Sequence, residues 1–377
     1  MSLTLNISRD EFFSGLATLQ NVTGKKGTIA ILSNILIKSE SDSVTLIGTD
    51  LEIGIKINIP AEILNPGSIT LPAKKLFEII RESISDQIHL EVKENNWVKI
   101  KAESSDYNLA GMPGDEFPSF PEYSEESLIE IDSATVSDLI EKTIFSVAQE
   151  GESQFNLTAV LVEKDKKENG LNYIRMVSSD GHRLTLMESI VDNDLDKLNM
   201  QSTVLIPRKG LQEIRKFCEN NNNIFMGFEK NQAVIKKDNY LMIIRLMNGD
   251  FPDYKNIINM INMDIYLEID RNSLIHSMKR MNLFTEDRFN AVKFFIDRNI
   301  MILSSESMDI GNAKDEIEID YSGEALTLGF NGKYFIDALT VMKSNKIKVF
   351  INTEESPCLL QGDEDEGFMG IIMPMKI

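Results

Sequence analysis

The chain has few cysteines and histidines and no long apolar run. Its 377 residues include two cysteines, Cys218 and Cys358, whose separation matches no metal or redox spacing. No apolar run approaches the ~20 residues that span a bilayer. The opening residues MSLTLNISRDEFF lack the basic and apolar regions of a signal peptide. These absences predict a cytoplasmic protein without a membrane partner, in which the sequons at Asn6 and Asn156 are chance matches.

Signatures of catalysis and of cofactor binding are also missing. The three histidines, His89, His182 and His276, are isolated from one another in sequence. There is no phosphate-binding Walker loop, no GxGxxG after a strand and no GxSxG turn. The acidic run Asp363–Glu366 lacks the spacing and the glycine of a calcium loop, so a solvated hairpin tip is expected there. The sequence therefore predicts no cofactor, no metal and no catalytic residue.

One pair of residues keeps an enzymatic alternative open. Asp180 and His182 stand two apart and could form the acid–base pair of a hydrolase. The intervening DG dipeptide favours a turn between strands at Arg175–Ser178 and Leu184–Glu188. A turn is the preferred interpretation, and loss of turnover in a His182→Ala variant would support the enzyme instead.

Acidic residues outnumber basic ones, 59 to 39, which gives a formal net charge of −20. Taken alone, this excess argues against nucleic acid as a partner, because duplex DNA is itself a polyanion. However, exposed charges are screened beyond about 8 Å at physiological ionic strength. The positions of the basic residues therefore matter more than the total.

Three segments of the chain share one pattern, a short apolar strand followed by a turn with proline or glycine and then a helix. They read SITLPAKKLFEIIRE at Ser68–Glu82, TVLIPRKGLQEIRKF at Thr203–Phe217 and LTLGFNGKYFIDALTVM at Leu326–Met342. Their spacing is about one domain length, which indicates three tandem modules rather than a short-period solenoid.

Other elements repeat in the same order. Apolar residues at helical spacing predict that each module opens with a helix, at Arg9–Val22 behind the N-cap Ser8, at Ala134–Gln149 and at Arg271–Leu283. Alternating patterns predict strands, which fall at Ile35–Lys38, Ser43–Ile47, Glu52–Ile57, Ala291–Ile296 and Ile300–Ser304.

Proline-containing segments mark the ends of the first two modules. They read GDEFPSFP at Gly114–Pro121 and GDFPDY at Gly249–Tyr254. The boundaries are placed near 122–127 and 256–263, which gives modules at 1–124, 127–257 and 262–377. Two helices and about eight strands per module predict α+β domains with antiparallel sheets on one side and helices on the other.

Basic residues recur on the polar faces of the helices in all three modules. This repetition within an acidic chain predicts one shared positive surface. On the second helices they are Lys74, Lys75, Arg81, Arg208, Lys209, Arg215, Lys216, Lys333 and Lys343. The first helices and the turns after them add Lys25, Lys26, Lys142, Lys279 and Arg280.

With these residues in hand, the chain closely resembles the bacterial sliding-clamp family, the beta subunits of DNA polymerase III, over its whole length. The resemblance rests on six segments in register with the threefold repeat. They are TIAILSNIL at Thr28–Leu36, SDGHRL at Ser179–Leu184, IPRKG at Ile206–Gly210, GDFPDY at Gly249–Tyr254, YSGEALTLGFN at Tyr321–Asn331 and the terminal MPMKI.

The resemblance implies a fold and a function. It implies three clamp domains per chain and a head-to-tail homodimer closed into a ring, with helices lining a central hole and sheets outside. Such a ring encircles duplex DNA without sequence specificity and acts as a processivity factor. On family DNA-contact positions stand Lys26, Arg208 and Lys209, while Lys25 and Lys75 are added from the helix-face pattern alone.

The resemblance also implies a peptide-binding pocket between the second and third domains. Its partners would be the polymerase catalytic subunit, the clamp loader, repair polymerases and mismatch-repair factors. Mapped residue by residue, the pocket comprises Leu157, Ser179, Gly181, His182, Arg183, Leu184, Pro252, Ile257, Asn331, Tyr334, Ile371, Met373, Pro374, Met375 and Lys376. Two methionines beside a proline give a flexible apolar surface, which can bind many similar peptides.

Two further expectations concern assembly and the competing function. By resemblance, Tyr107 and Leu109 would meet Leu283 and Phe284 of the other subunit. Such a head-to-tail contact closes a ring only if its rotation closes. The alternative function, a peptide-binding scaffold without DNA tethering, is kept open by the net charge.

Overall fold

The computed structural model describes residues 3–24, 29–149, 151, 157–168, 170–192, 195–198, 200, 203–219, 222–285 and 290–376. These residues form 25 β-strands and seven α-helices in the described part. They divide into two compact units. The first holds 1–131, 196–200 and 223–246, and the second holds 132–195, 201–222 and 247–377. None of the described helices is both long enough and apolar enough to cross a membrane.

The first module contains two helices, α1 (Arg9–Leu19) and α2 (Ala73–Glu82). The expectation that the module opens with a helix is wrong, because strand β1 (Thr4–Ser8) precedes α1. Helix α1 also ends before Val22. The remaining strands are β2 (Asn34–Ser39), β3 (Ser43–Thr49), β4 (Ile53–Asn65), β5 (Ser68–Pro72), β6 (Gln87–Val92), β7 (Trp97–Ala102), β8 (Ser105–Ala110) and β9 (Met112–Pro113).

The second module contains α3 (Ser133–Glu141) and α4 (Arg208–Cys218). Helix α3 is much shorter than the expected Ala134–Gln149. The Thr143 hydroxyl donates to the Leu139 carbonyl at 2.7 Å, and a 3-10 turn follows at Ile144–Ser146. The strands are β10 (Leu128–Asp132), β11 (Ala159–Lys166), β12 (Asn172–Ser179), β13 (Arg183–Ile190), β14 (Thr203–Pro207), β15 (Asn223–Glu229), β16 (Gln232–Lys237) and β17 (Tyr240–Arg245).

The third module contains α6 (Arg271–Asn282) and α7 (Gly332–Val341), preceded by the short linker helix α5 (Tyr254–Asn259). A strand comes before the first module helix here too. The strands are β18 (Leu267–Asp270), β19 (Ala291–Asp297), β20 (Ile300–Ser307), β21 (Gly311–Glu318), β22 (Leu326–Asn331), β23 (Lys346–Phe350), β24 (Cys358–Gly362) and β25 (Phe368–Ile372).

Two antiparallel strand pairs join consecutive modules. In the first unit β17 of the second module pairs with β4 of the first, and we call this pair the first seam. In the second unit β25 of the third module pairs with β13 of the second, and we call this pair the second seam. The first seam lies within a 13-stranded sheet and the second within an eight-stranded sheet. Each seam therefore makes one continuous sheet from two modules.

The two helices of each module pack side by side and bury their apolar stripes against the sheet. Helix α1 buries Phe12, Leu16 and Leu19, while α2 buries Leu76 and Ile80. Each of the three repeated segments folds as a strand followed by a helix, as predicted. The predicted turn between them is absent, because each helix begins right after the last residue of the strand, Pro72, Pro207 or Asn331. Because the apolar stripe faces inward, the basic residues of α2 and α4 are directed towards solvent.

Candidate functional site

The turn that precedes β13 is held by its own polar side chains. The Asp180 carboxylate accepts the backbone N–H groups of His182 and Arg183 at 3.0 and 3.1 Å. The Ser179 hydroxyl donates to the Arg183 carbonyl at 2.7 Å and accepts the Gly181 N–H at 3.1 Å. Gly181 has φ +89°, a region that favours glycine. The prediction of a DG turn is confirmed, and Asp180 is engaged in building it.

Arg183 braces this turn and connects it to two other parts of the second unit. Its Nε donates to Asp180 at 2.9 Å, Nη1 donates to Asp337 of α7 at 2.6 Å, and Nη2 donates to the Phe145 carbonyl at 2.7 Å. The guanidinium carbon lies 4.4 Å from the centroid of the Tyr334 ring. The side chain is only 10% exposed. A planar guanidinium can satisfy all these partners at once, so Arg183 fixes the turn against the third module.

The tail after β25 lies against both modules. Within the second seam, Leu184 pairs with Ile371 and Arg183 pairs with Ile372. The N–H of Met373 donates to the His182 carbonyl at 2.9 Å, and the N–H of Met375 donates to the Gly329 carbonyl at 2.7 Å. These two bonds hold alternate residues of the tail and place its methionines between the turn and β22.

An apolar cluster forms the floor beneath the turn and the tail. Leu184 and Ile371 are buried in this cluster, and Ile257 of α5 packs against it from the linker side. Leu157, also buried, lies close to Gly181, since a Cβ on that glycine would be 4.0 Å from the leucine Cδ1. The structure thus gathers apolar residues from four separate stretches of sequence.

The predicted pocket residues fall into three groups by exposure. Buried are Leu157, Leu184 and Ile371. Half-buried are Ser179, Arg183, Pro252, Ile257, Asn331, Tyr334, Pro374 and Met375. Exposed are Gly181, His182, Met373 and Lys376. Asn331 has a structural role as well, because its side chain accepts the Lys333 N–H and caps α7. A buried apolar floor with an exposed polar and methionine rim can accept a short extended peptide.

Sequence reasoning missed several residues that support this site. Asp337 and Phe145 hold Arg183, and Met247, Phe251 and Ile258 complete the apolar cluster. The signal for Phe251 was present in the sequence, because this residue belongs to the GDFPDY segment. Asp337 and Phe145 gave no such signal, since their role depends on contacts between distant parts of the chain.

The predicted DNA-contact residues have different local surroundings. Lys75 is exposed on α2 and forms an ion pair with Glu78 at 2.6 Å, and this bond lowers the pKa of Glu78. On α4, Arg208 is half-buried and Lys209 is exposed. Lys25 and Lys26 lie outside the described residues.

Several other basic residues on the helices have acidic neighbours. Lys216 pairs with Glu213 at 2.7 Å, and Arg280 pairs with Asp315. Acidic partners of this kind reduce the positive potential of a helix surface. Charge on these helices is therefore less one-sided than the sequence indicates.

Lys142 does not belong to a basic surface, which corrects the sequence prediction. Its side chain is 4% exposed and its ammonium lies 3.2 Å from Asp138 and 3.7 Å from Asp365. The prediction of a solvated tip at Asp363–Glu366 is wrong at Asp365, which is buried. Asp365 accepts the N–H groups of Lys343 and Ser344 at the end of α7. Burial raises the pKa of Asp365, but these hydrogen bonds, the Ser344 side chain and Lys142 together hold it below its ordinary value.

Within the described ranges, no group of three or more His, Cys, Asp or Glu side chains lies close enough to hold a metal ion. Cys218 and Cys358 are free and buried. Burial raises the pKa of both thiols, so neither is a ready nucleophile.

The residues predicted for subunit contact lie near the outer strands of two sheets. Tyr107 and Leu109 belong to β8, which ends the path of the 13-stranded sheet. Phe284 approaches the start of β21, the outer strand of the four-stranded sheet, since a Cβ on Gly311 would lie 4.0 Å from its ring. Leu283 is 70% exposed. Both sheets thus end in a strand whose outward backbone groups can pair with another chain.

Three family models match almost the whole chain. The N-terminal domain of the DNA polymerase III beta subunit matches residues 3–121, the central domain 130–253 and the C-terminal domain 261–376. The fold is therefore that of three tandem clamp domains, a class of proteins built by repetition.

Relatives and solved structures agree with these matches. The beta sliding clamp of Staphylococcus aureus is 28% identical over 99% of both chains, and that of Haemophilus influenzae is 26% identical over 100% of both. The crystal structure of the C. crescentus beta sliding clamp superposes with a TM-score of 0.92 at 28% identity, covering 100% of both chains. The DNA polymerase sliding clamp of Bacillus subtilis gives 0.91 at 27% identity with the same coverage. The chain belongs to the DNA polymerase III beta-subunit family, the bacterial sliding clamps.

Proposed function

We propose that two copies of this chain close head to tail into a ring around duplex DNA and act as a non-catalytic processivity factor. The observation that carries the proposal is the repeated seam. Both joints between consecutive modules are antiparallel strand pairs, β4 with β17 and β13 with β25. Strands β21 and β8 lie at outer positions of their sheets. Pairing β21 of one copy with β8 of another would repeat the same joint, and two such contacts would close a ring.

Tyr107, Leu109, Leu283 and Phe284 fit this subunit contact. They lie on or beside the two outer strands, and Leu283 is an exposed leucine just past the end of α6. Burying about 100 Å² of apolar surface contributes roughly 2.5 kcal/mol before association costs. The contact is heterologous, because different surfaces of the two copies meet.

Helices α2 and α4 would supply the contacts to DNA. Arg208, Lys209 and Lys75 lie on or at the start of these helices. We add Lys26 from the resemblance to the family and Lys25 from the helix-face pattern. Phosphate contacts from lysine and arginine carry no base information and weaken with salt. Neighbouring acids such as Glu78 moderate the attraction. Weak contacts suit a ring that slides, because the closed topology and not affinity retains it.

The site at the second seam would bind short linear peptides from partner proteins. Its apolar floor, its two tail methionines and the Arg183–Tyr334 stack give an adaptable surface on a fixed support. The replicative polymerase, the clamp loader and repair factors are the proposed partners. An exchangeable contact with short peptides lets successive partners share one tether.

The experiment is retention on DNA circles. A clamp loaded onto nicked circular DNA should remain bound and should leave once the circle is linearised. An Arg208→Glu, Lys209→Glu double variant should lower polymerase processivity at least several-fold. The matched control is Lys293→Glu, Arg298→Glu, which reverses two exposed basic residues of a strand and a turn. Equal retention on circles and linear DNA would contradict the ring. Unchanged processivity in the helix variant would favour a scaffold without DNA tethering.

A further inference from the structure

The first seam contains the same kind of turn as the peptide site at the second seam, although few residues are identical in the two turns. Here residues 49–53 read TDLEI, against SDGHR at 179–183. The Thr49 hydroxyl donates to the Ile53 carbonyl at 2.9 Å and accepts the Leu51 N–H at 3.0 Å. The Asp50 carboxylate accepts the N–H groups of Glu52 and Ile53 at 2.9 and 2.8 Å. These are the four hydrogen bonds that hold the turn at the second seam.

The strand pairing of the two seams also matches. Gly54 pairs with Ile243 in the first seam, as Leu184 pairs with Ile371 in the second. The N–H of Arg245, the residue at the position of Met373, donates to the Glu52 carbonyl at 2.8 Å. The corresponding bond of the second seam, from Met373, is 2.9 Å long.

A cavity of about 270 Å³ lies at the first seam. This volume is close to the lower end of small ligand sites, roughly 300–1,000 Å³. Its lining residues occupy the positions that form the partner site in the second seam. Thr49, Leu51, Glu52, Gly54, Pro118 and Arg245 stand at the positions of Ser179, Gly181, His182, Leu184, Pro252 and Met373.

The chain itself contributes an aromatic side chain to this cavity. Phe120 belongs to the linker segment GDEFPSFP and lines the cavity beside Pro121. A Cβ on Gly54 would lie 3.1 Å from Phe120 Cε2, so the ring takes the space that a side chain at position 54 would occupy. Phe120 is half-buried and packs against a small cluster that includes Ile47 and Phe117. A phenylalanine followed by proline thus forms part of the wall of this cavity, and the ring covers the backbone at Gly54.

We propose that the first seam is a second peptide site, which takes a partner segment anchored by a Phe-Pro pair in competition with Phe120. The proposal rests on the proposed function of the second seam only for the class of ligand, a short linear peptide. Because Phe120 is tethered beside the cavity, its high effective concentration reduces the apparent affinity of a free peptide. The site is therefore weak in the native chain and strengthens when the phenylalanine is removed.

The test uses the full chain and a synthetic peptide with the sequence of residues 116–122, EFPSFPE, capped at both ends and labelled with a fluorophore. In Phe120→Ala the peptide should bind at one site per chain, about tenfold or more tighter than in the native protein. Adding Gly54→Leu should abolish this binding, because the leucine fills the space of the ring. Fluorescence anisotropy measures the affinity, and titration at high protein concentration gives the stoichiometry.

Two further variants separate this proposal from the site at the second seam and from misfolding. Deleting residues 373–377 from the Phe120→Ala variant should leave peptide binding unchanged, although the deletion removes the rim of the site at the second seam. Leu51→Gly removes a half-exposed side chain with φ +74° from the cavity wall without opening the core, and should also tighten binding. No saturable binding to either Phe120→Ala or Leu51→Gly would overturn the proposal. The proposal would also be overturned if peptide binding to Phe120→Ala persisted after Gly54→Leu but was lost when the tail was deleted.

Discussion

The guanidinium of Arg183 stacks on the ring of Tyr334, with its carbon 4.4 Å from the ring centroid. Arg183 is the first residue of β13 in the second module, and Tyr334 lies on α7 of the third. A cation over an aromatic face contributes roughly 0.5–2 kcal/mol, more when it is shielded from water. The pair therefore joins two modules at the point where the proposed partner peptide would bind.

Replacing Arg183 with lysine should weaken the site although the charge is kept. Lysine cannot reach Asp180, Asp337 and the Phe145 carbonyl together, because its ammonium is a single point. We expect roughly tenfold weaker peptide binding in Arg183→Lys and a loss of about 1–3 kcal/mol in the free energy of unfolding. Anisotropy and urea titration measure the two effects. Tyr334→Phe is the control, since it keeps the ring, and equal losses in both variants would contradict a role for the guanidinium.

Replacing Leu283 with aspartate should break the proposed subunit contact without unfolding the chain. Leu283 is 70% exposed, so the substitution leaves the core intact. A charge at an apolar contact is costly when it is desolvated. Sedimentation velocity should show monomers at concentrations where the native chain is dimeric. Ile84→Asp, at a residue that is 90% exposed after α2, serves as the control and should stay dimeric.

The buried carboxylate of Asp365 predicts a dependence of stability on pH. Its pKa is lower in the folded chain than the ordinary value near 3.9 of an unfolded aspartate. The stabilisation is therefore complete above about pH 4 and is lost as the pH falls through the lower folded pKa. Asp365→Asn should cost about 3 kcal/mol at pH 7, because it leaves Lys142 poorly compensated.

The cost of Asp365→Asn should shrink once the pH falls below the folded pKa. Urea titrations at a series of pH values measure this change. Asp363→Asn changes a carboxylate whose side chain is 81% exposed, and it should cost less than about 1 kcal/mol. A similar loss in both variants would argue against the buried ion pair.

Lys142 and Lys209 should behave in opposite ways when each is changed to glutamine. Lys142 is buried between two carboxylates, so Lys142→Gln should lower the free energy of unfolding by about 3 kcal/mol and leave DNA retention unchanged once folded. Lys209→Gln, at an exposed residue, should keep the stability and reduce the salt dependence of DNA binding by about one phosphate contact. Thermal unfolding and binding over a salt series separate the two roles. A DNA defect in Lys142→Gln would mean that this lysine reaches the surface.

Local patterns were enough to predict the elements that depend on neighbouring residues. Helix α4 begins at Arg208 right after Pro207, as the proline and the apolar spacing indicated. The turn at Asp180 followed from its DG dipeptide. Helix α3 was predicted too long, because apolar spacing continues past Thr143 while the hydroxyl of that residue bonds back to the helix.

Contacts between distant residues could not be predicted in this way. Lys142 and Asp365 are more than two hundred positions apart, so nothing in the sequence near Lys142 shows that it is buried. The first seam gave no motif either. Thr49 and Asp50 form the same hydrogen bonds as Ser179 and Asp180, because a hydroxyl and a carboxylate at these two positions are enough to hold the turn. The other residues of the turn can differ.

The exchange of strands at the two seams has a consequence for how this architecture can be divided. The sequence boundaries of the second module do not coincide with the compact units, since β17 completes a sheet with β4 while β13 completes another with β25. A fragment cut out at 127–257 would carry two long edges stripped of their neighbours. The unpaired backbone N–H and C=O groups of such edge strands can pair with a strand of another chain. A truncated copy should therefore aggregate or bind to intact chains. Isolated modules are thus unsuitable for solution measurements, and they should inhibit assembly of the intact chain.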